Sequence, residues 1–134
     1  RREQELTAIA AWVNANDREE KDFILGDMNI EDVGELAGAT PEGFLSLNDE
    51  CRATNTNVNG PRPYDHVMYR PEYSSEVDRG HDMKVIDLIE AVRASWGRET
   101  AFPGDPYDHN GFRKYYSDHH PVLFRLRVPE EDDD

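Results

Sequence analysis

Three short segments hold side chains that together could cleave a phosphoester: Gly26-Asp27-Met28-Asn29, Tyr64-Asp65-His66 and Ser117-Asp118-His119-His120-Pro121. Such a reaction needs a hard cation, and oxygen ligands suit Mg²⁺ or Mn²⁺, with Ca²⁺ a further candidate. It also needs a group that orients or deprotonates water and a donor for the charge building on phosphate oxygens. Asp27 offers a carboxylate for the water. Asn29 offers an amide that can donate to the phosphate or accept from the water. Asp118 offers a metal ligand. His119, held by Asp65, offers a positively inclined donor, because a neighbouring carboxylate raises an imidazole pKa.

Each segment also has an ordinary explanation. Asx residues after a strand stabilise turns through their own backbone. Asp65 could pair with Arg62 or His66. Pro121 could simply fix a loop. Adjacent histidines on extended chain point to opposite faces, so at most one of His119 and His120 joins a given site. Thr54-Asn55-Thr56 and Arg62 could contact substrate phosphate, since Arg suits bidentate binding. A turn-stabilising role competes with that for the threonines. The joint occurrence of the three segments favours chemistry over coincidence.

These residues must be positioned by strands and helices, and the hydrophobic pattern supplies them. Leu6, Ile9, Ala10 and Val13 recur at helical spacing over 3–16. Phe23-Ile24-Leu25 reads as a buried strand ending at Gly26, so Asp27 follows a strand's carboxyl end, where ligands collect in open α/β sheets. A short helix is expected over 30–39 and another short element over 44–47. Residues 48–63 read as a loop and 64–69 as a strand. Residues 83–96 read as a helix or a strand running into one, 97–114 as loop, and 122–128 as a strand with one face buried. Trp12 and Trp96 are expected in the core or an interface. The run Asp105, Asp108, His109 is expected to be a solvated loop, and His81 a surface histidine. This alternation predicts a layered α/β domain over residues 1–128, followed by an acidic disordered tail over 129–134.

Composition narrows the partners. The 134 residues carry a net charge of −14, with 12 Arg and three Lys against 29 acids. Such a surface repels a nucleic-acid backbone in general, so attraction to an anionic substrate must be local or pass through metal ions. Cys51 stands alone, which excludes an intrachain disulfide, and a half-buried thiol is the expected reading. Neither H-E-x-x-H nor C-x-x-C occurs, which argues against a zinc protein. No apolar run reaches the ~20 residues that span a bilayer.

Gly26-Asp27-Met28-Asn29 resembles the G-D-x-N motif of the endonuclease/exonuclease/phosphatase family, the DNase I-like phosphoesterases. Ser117-Asp118-His119-His120-Pro121-Val122 resembles that family's terminal S-D-H-x-P-V motif. Arg62-Pro63-Tyr64-Asp65-His66-Val67 resembles the preceding motif, whose Asp pairs with the catalytic His. The order also agrees. The resemblance implies a four-layer α/β/β/α sandwich, of which this chain is the carboxyl-terminal half. It implies that Asp27 orients or deprotonates water, Asn29 fixes phosphate or water, Asp118 ligates the metal with Asp27 and Asn29 as further ligands, His119 contacts the scissile phosphate and Asp65 holds His119. The family's first half normally supplies a metal-binding Glu, an Asn and another His, for which residues before 27 leave no place. The expectation is therefore a fragment, inactive alone, that joins its missing half or a second copy through an exposed apolar face. The substrate would be a phosphate ester in nucleic acid, a nucleotide or a phospholipid headgroup. The competing reading is a binding or assembly module that keeps the motifs without catalysis.

Overall fold

The structure, a computed structural model, describes residues 2–16, 23–72, 76–78, 82–96, 102–104 and 106–127. The expected charged connection at 18–21, the acidic tail, His81 and Asp105 lie outside the described residues.

The chain begins in helix α1 (Arg2–Asn16), followed by strand β1 (Ile24–Asp27), helix α2 (Val33–Ala39), strands β2 (Leu45–Ser46) and β3 (Asp65–Tyr69), and strand β4 (Lys84–Val85). Helix α3 (Leu88–Val92) runs into a 3-10 turn (Arg93–Ser95), and helix α4 (His109–Tyr115) and strand β5 (Val122–Leu123) complete the order. Among the described residues β1, β3 and β2 form an antiparallel sheet with β3 in the centre, and β4 pairs with β5. The domain is thus mixed α/β.

The central strand explains the layering. Residues 66–69 are buried on both faces of the sheet, so β3 shows no in-out alternation. Met68 joins Ile24 on the face covered by α1 and α2, where Leu6, Ala10, Val13, Ile30, Leu36, Ala39 and Phe44 meet. Val67 and Tyr69 face the other way, onto Leu47, Val77 and Met83, with Phe23, Val85 and Phe124 at the margin. Asp32 caps α2 by accepting from the Glu35 amide, while Glu35 accepts from the Glu31 amide. That reciprocal arrangement is a variant of the capping box and starts the helix later than residue 30.

Four expectations need correction. The 97–114 segment contains a helix: Asp108 accepts from the Gly111 amide at 3.0 Å, and the fully buried Phe112 anchors α4. Glycine and proline in that segment hide the start signal. The strand expected over 122–128 shrinks to two residues plus a bridge between Val77 and Leu126, with Val122 and Leu126 exposed and Phe124 half-buried. Leu25 is 61% exposed, so β1 is not the buried strand expected, and Ile9 leaves the buried stripe of α1; Trp12 is 66% exposed, which excludes the core and not the interface. Trp96 packs as expected, among Phe102, Tyr115 and Tyr116. The 83–96 segment takes the strand-into-helix form.

Candidate active site

Asp27 and Asp65 are cross-strand partners at one end of the β1–β3 pair. Paired positions share a sheet face, so two carboxylates are held side by side, an arrangement that costs energy unless a cation or proton intervenes. His119 supplies that group. Its Nδ1 lies 2.7 Å from Asp65 Oδ2 and its Nε2 lies 3.7 Å from Asp27 Oδ2. A carboxylate only accepts, so Nδ1 carries the hydrogen and Nε2 is the working nitrogen. The Asp27 gap is too long for a hydrogen bond. Nε2 and Asp27 Oδ2 therefore each keep capacity for a substrate or water atom.

The Gly-Asp-Met-Asn sequence makes this geometry locally. Gly26 has φ +142 and Asn29 has φ 53, both in the region that L side chains avoid. Glycine enters it freely and asparagine tolerates it. The turn so formed lets the Asn29 amide donate to Asp27 Oδ1 at 2.9 Å. One carboxylate oxygen is thereby pinned by its own turn while the other faces His119. The Asx-turn explanation and the chemical one hold for the same residue. Asn29 is exposed beside the site.

His119 arrives from the far end of the chain, and residues 54–56 carry it there. The Thr56 amide donates to the Asp118 carbonyl and the His120 amide donates to the Thr54 carbonyl. Asn55 and His119 form a bridge pair. Thr56 Oγ1 donates to the Ser117 carbonyl, and Thr54 Oγ1 accepts from the Asp65 amide at 2.9 Å. Thr54 and Thr56 are fully buried. They are the splice between the two motifs rather than substrate contacts, a role that polar residues in a Pro- and Gly-rich loop did not announce. Tyr107, also unanticipated, donates its hydroxyl to the Thr56 carbonyl at 2.6 Å.

Electrostatics follow the packing. Partial burial pushes the His119 pKa down, but the hydrogen bond and charge of Asp65, then the charges of Asp27 and Asp118, outweigh it, and the net shift is upward. His120 turns away, its Nδ1 accepting from the Leu88 amide, and burial lowers its pKa. Burial raises the Cys51 thiol, with Asp32 and Asp49 adding to it, which leaves a poor nucleophile.

The structure thus brings together Asp27, Asp65 and His119, with Asn29 adjoining. The Asp118 side chain is exposed and lines a neighbouring cleft. The Arg62 guanidinium lies 4.0 Å from Glu31, and no described contact ties it to His119. Among the described residues no three His, Cys, Asp or Glu side chains converge as a metal cage. Hydrated Mg²⁺ asks for less, keeping several waters and needing one or two carboxylates. Asp27 and Asn29 line one cleft and Asp118 another, and all three carry oxygen donors of the type such an ion takes. Among the described residues no helix is long and apolar enough to cross a membrane. Comparison with protein-family models, curated proteins and solved structures gave no match for this chain.

Proposed function

We propose that this chain carries part of a divalent-metal-dependent phosphoesterase site and forms one half of a four-layer DNase I-like sandwich. The observation that supports this best is a His119 imidazole suspended between two carboxylates, Asp65 at hydrogen-bond distance and Asp27 beyond it. Asp65 positions the ring and favours its protonated form. His119 Nε2 donates to an oxygen of the scissile phosphate. Asp27 Oδ2 accepts a proton from the attacking water, and Asn29 offers its amide to the phosphate or the water. Asp118, Asp27 and Asn29 would hold Mg²⁺ or Mn²⁺, which supplies charge neutralisation when bound.

The test is Mg²⁺- or Mn²⁺-dependent hydrolysis of bis-p-nitrophenyl phosphate and of plasmid DNA, in this chain and in the longest polypeptide encoded around it. Asp27→Ala and His119→Ala should each lower turnover by roughly 10²–10⁴. Hydrolysis that survives both substitutions removes the assignment.

A second reading, a non-catalytic assembly module, draws on the surface beside β1. Leu25 and Ile9 are exposed there, Trp12 is exposed one helical turn on from Ile9, and β1 is an edge strand among the described residues. Calorimetric titration with Mn²⁺ separates the two, because a saturable site lost in Asp118→Ala favours the metal-dependent reading.

A further inference from the structure

Helix α4 presents a second set of polar groups beside Asp118, the residue that precedes His119. Asn110, Arg113 and Lys114 stand at i, i+3 and i+4, so they share one helix face. That face and Asp118 line a cleft of about 510 Å³. Asp118 is the residue before His119, roughly 3.8 Å along the backbone. All four lining residues are exposed.

The charge pattern makes the cleft unusual for this chain. The net charge is −14, and among the described residues most cations outside the cleft are paired, Arg52 with Glu50 and Asp82, Arg93 with Glu90 and Arg127 with Asp78, Lys84 being an exception. Among the described residues Arg113 and Lys114 have no carboxylate within ion-pair distance; Lys114 instead sits 5.6 Å from the Tyr115 ring centroid. Cations in a last helical turn favour the helix dipole. That effect would be served on any face and does not explain why both line the cleft that reaches Asp118. A guanidinium and an ammonium beside an amide donor match the oxygens of a phosphate. The cleft is open to solvent with the Asp118 carboxylate as its one anion, and two cations serve one phosphate rather than a long backbone.

We infer that the Asn110, Arg113 and Lys114 face of α4 binds a second phosphate of the substrate, so that the preferred substrates are small molecules bearing two phosphate groups. This rests on the phosphoesterase reading for the position of the first phosphate, but the anion site can be measured without turnover. Thymidine 5′-monophosphate and thymidine 3′,5′-bisphosphate are titrated into the chain by calorimetry, in EDTA and again in Mg²⁺. Fructose 6-phosphate and fructose 1,6-bisphosphate repeat the pair without a base.

In both series the bisphosphate should bind about ten-fold more tightly, as two charge-assisted hydrogen bonds allow. The Arg113→Gln/Lys114→Gln variant should erase that margin, and Arg113→Lys should keep most of it. A margin confined to thymidine, absent from both pairs, or retained in the double variant overturns the inference. A margin that depends on Arg113 and Lys114, with no hydrolysis of any phosphoester, leaves the anion site standing and removes the phosphoesterase reading. Hydrolysis without the margin does the reverse.

Discussion

His119 and His66 are both attached to the start of β3, the first through the Asp65 carboxylate and the second as the next residue, and their surroundings push them in opposite directions. His66 is fully buried. Its Nε2 meets the Pro63 carbonyl at 2.7 Å and its Nδ1 meets Ser46 Oγ at 2.9 Å. The carbonyl only accepts, so Nε2 donates and Nδ1 accepts from the serine. Neither partner is a charge, and burial lowers the pKa. His119 meets a carboxylate, keeps one nitrogen toward solvent and is shifted upward. A buried imidazole between neutral partners holds the chain together. A half-exposed imidazole between carboxylates stores charge that can act on something else. If that contrast is right, damage at His119 should appear in turnover and damage at His66 in stability.

The largest separation is expected from Asp65→Asn. The amide removes the charge that raises His119 and competes for its tautomer, so hydrolysis should fall by roughly 10²–10⁴. The thermal midpoint should scarcely move. A large midpoint drop with turnover intact would make Asp65 structural and break the comparison. His66→Ala is the reverse experiment. It opens a cavity and strands the Pro63 carbonyl and the Ser46 hydroxyl, for a loss of roughly 2–4 kcal/mol in chemical denaturation. Activity measured well below the new midpoint should remain. Gly26→Ala sharpens the contrast at smaller scale. No heavy atom lies within 4 Å of the added methyl, so its cost is backbone strain at φ +142, about 1–3 kcal/mol. Because Gly26 aims Asp27, turnover should fall more than that strain alone explains.

What the sequence made legible divides along a physical line. Asp27, Asp65 and His119 are singled out by three short motifs occurring together in order, and the structure brings the three side chains together. The elements β1, α1 and β3 were legible from local apolar residues, although β3 is buried on both faces and Leu25 of β1 and Ile9 of α1 are exposed. Thr54 and Thr56 were ambiguous because their partners, Ser117 and Asp65, are remote, and a buried hydroxyl looks like any loop threonine in sequence. Helix α4 was hidden because Asp108 and Phe112 sit among Gly, Pro and Asn that argue for loop, and its burial comes from Phe102, Tyr107 and Tyr116. The chain order of Asp65 and His66 carries no sign of which residue faces the site and which fills the core. The strand expected over 122–128 failed for the opposite reason: alternation was present, but of the face it implied Val122 and Leu126 are exposed, Phe124 alone packs on the core, and Val128 lies outside the described residues.

The smallest effect tests the contrast most directly, because it reads the imidazoles themselves. A folded pKa above the ordinary 6.5 means that the folded chain holds the His119 proton more tightly than the unfolded chain. Its contribution to stability is therefore complete below 6.5 and is lost as pH rises through the folded value. His66 and His120 have lowered values, so their contributions are present above 6.5 and are lost as pH falls through and below it. Stability should accordingly crest near the ordinary histidine value, and turnover that needs protonated His119 should decline on the alkaline side. Two-dimensional NMR of the imidazole Cε1 protons checks this residue by residue: His119 should titrate above 6.5 and move down in Asp65→Asn, while His66 stays below 6.5 in both. Partial exposure of His119 screens its charge, so the stability slope it produces will be shallow. Its direction is still diagnostic, since a His119 that titrated below 6.5 would be governed by burial, as His66 is, and the two carboxylates would then face each other with no proton between them.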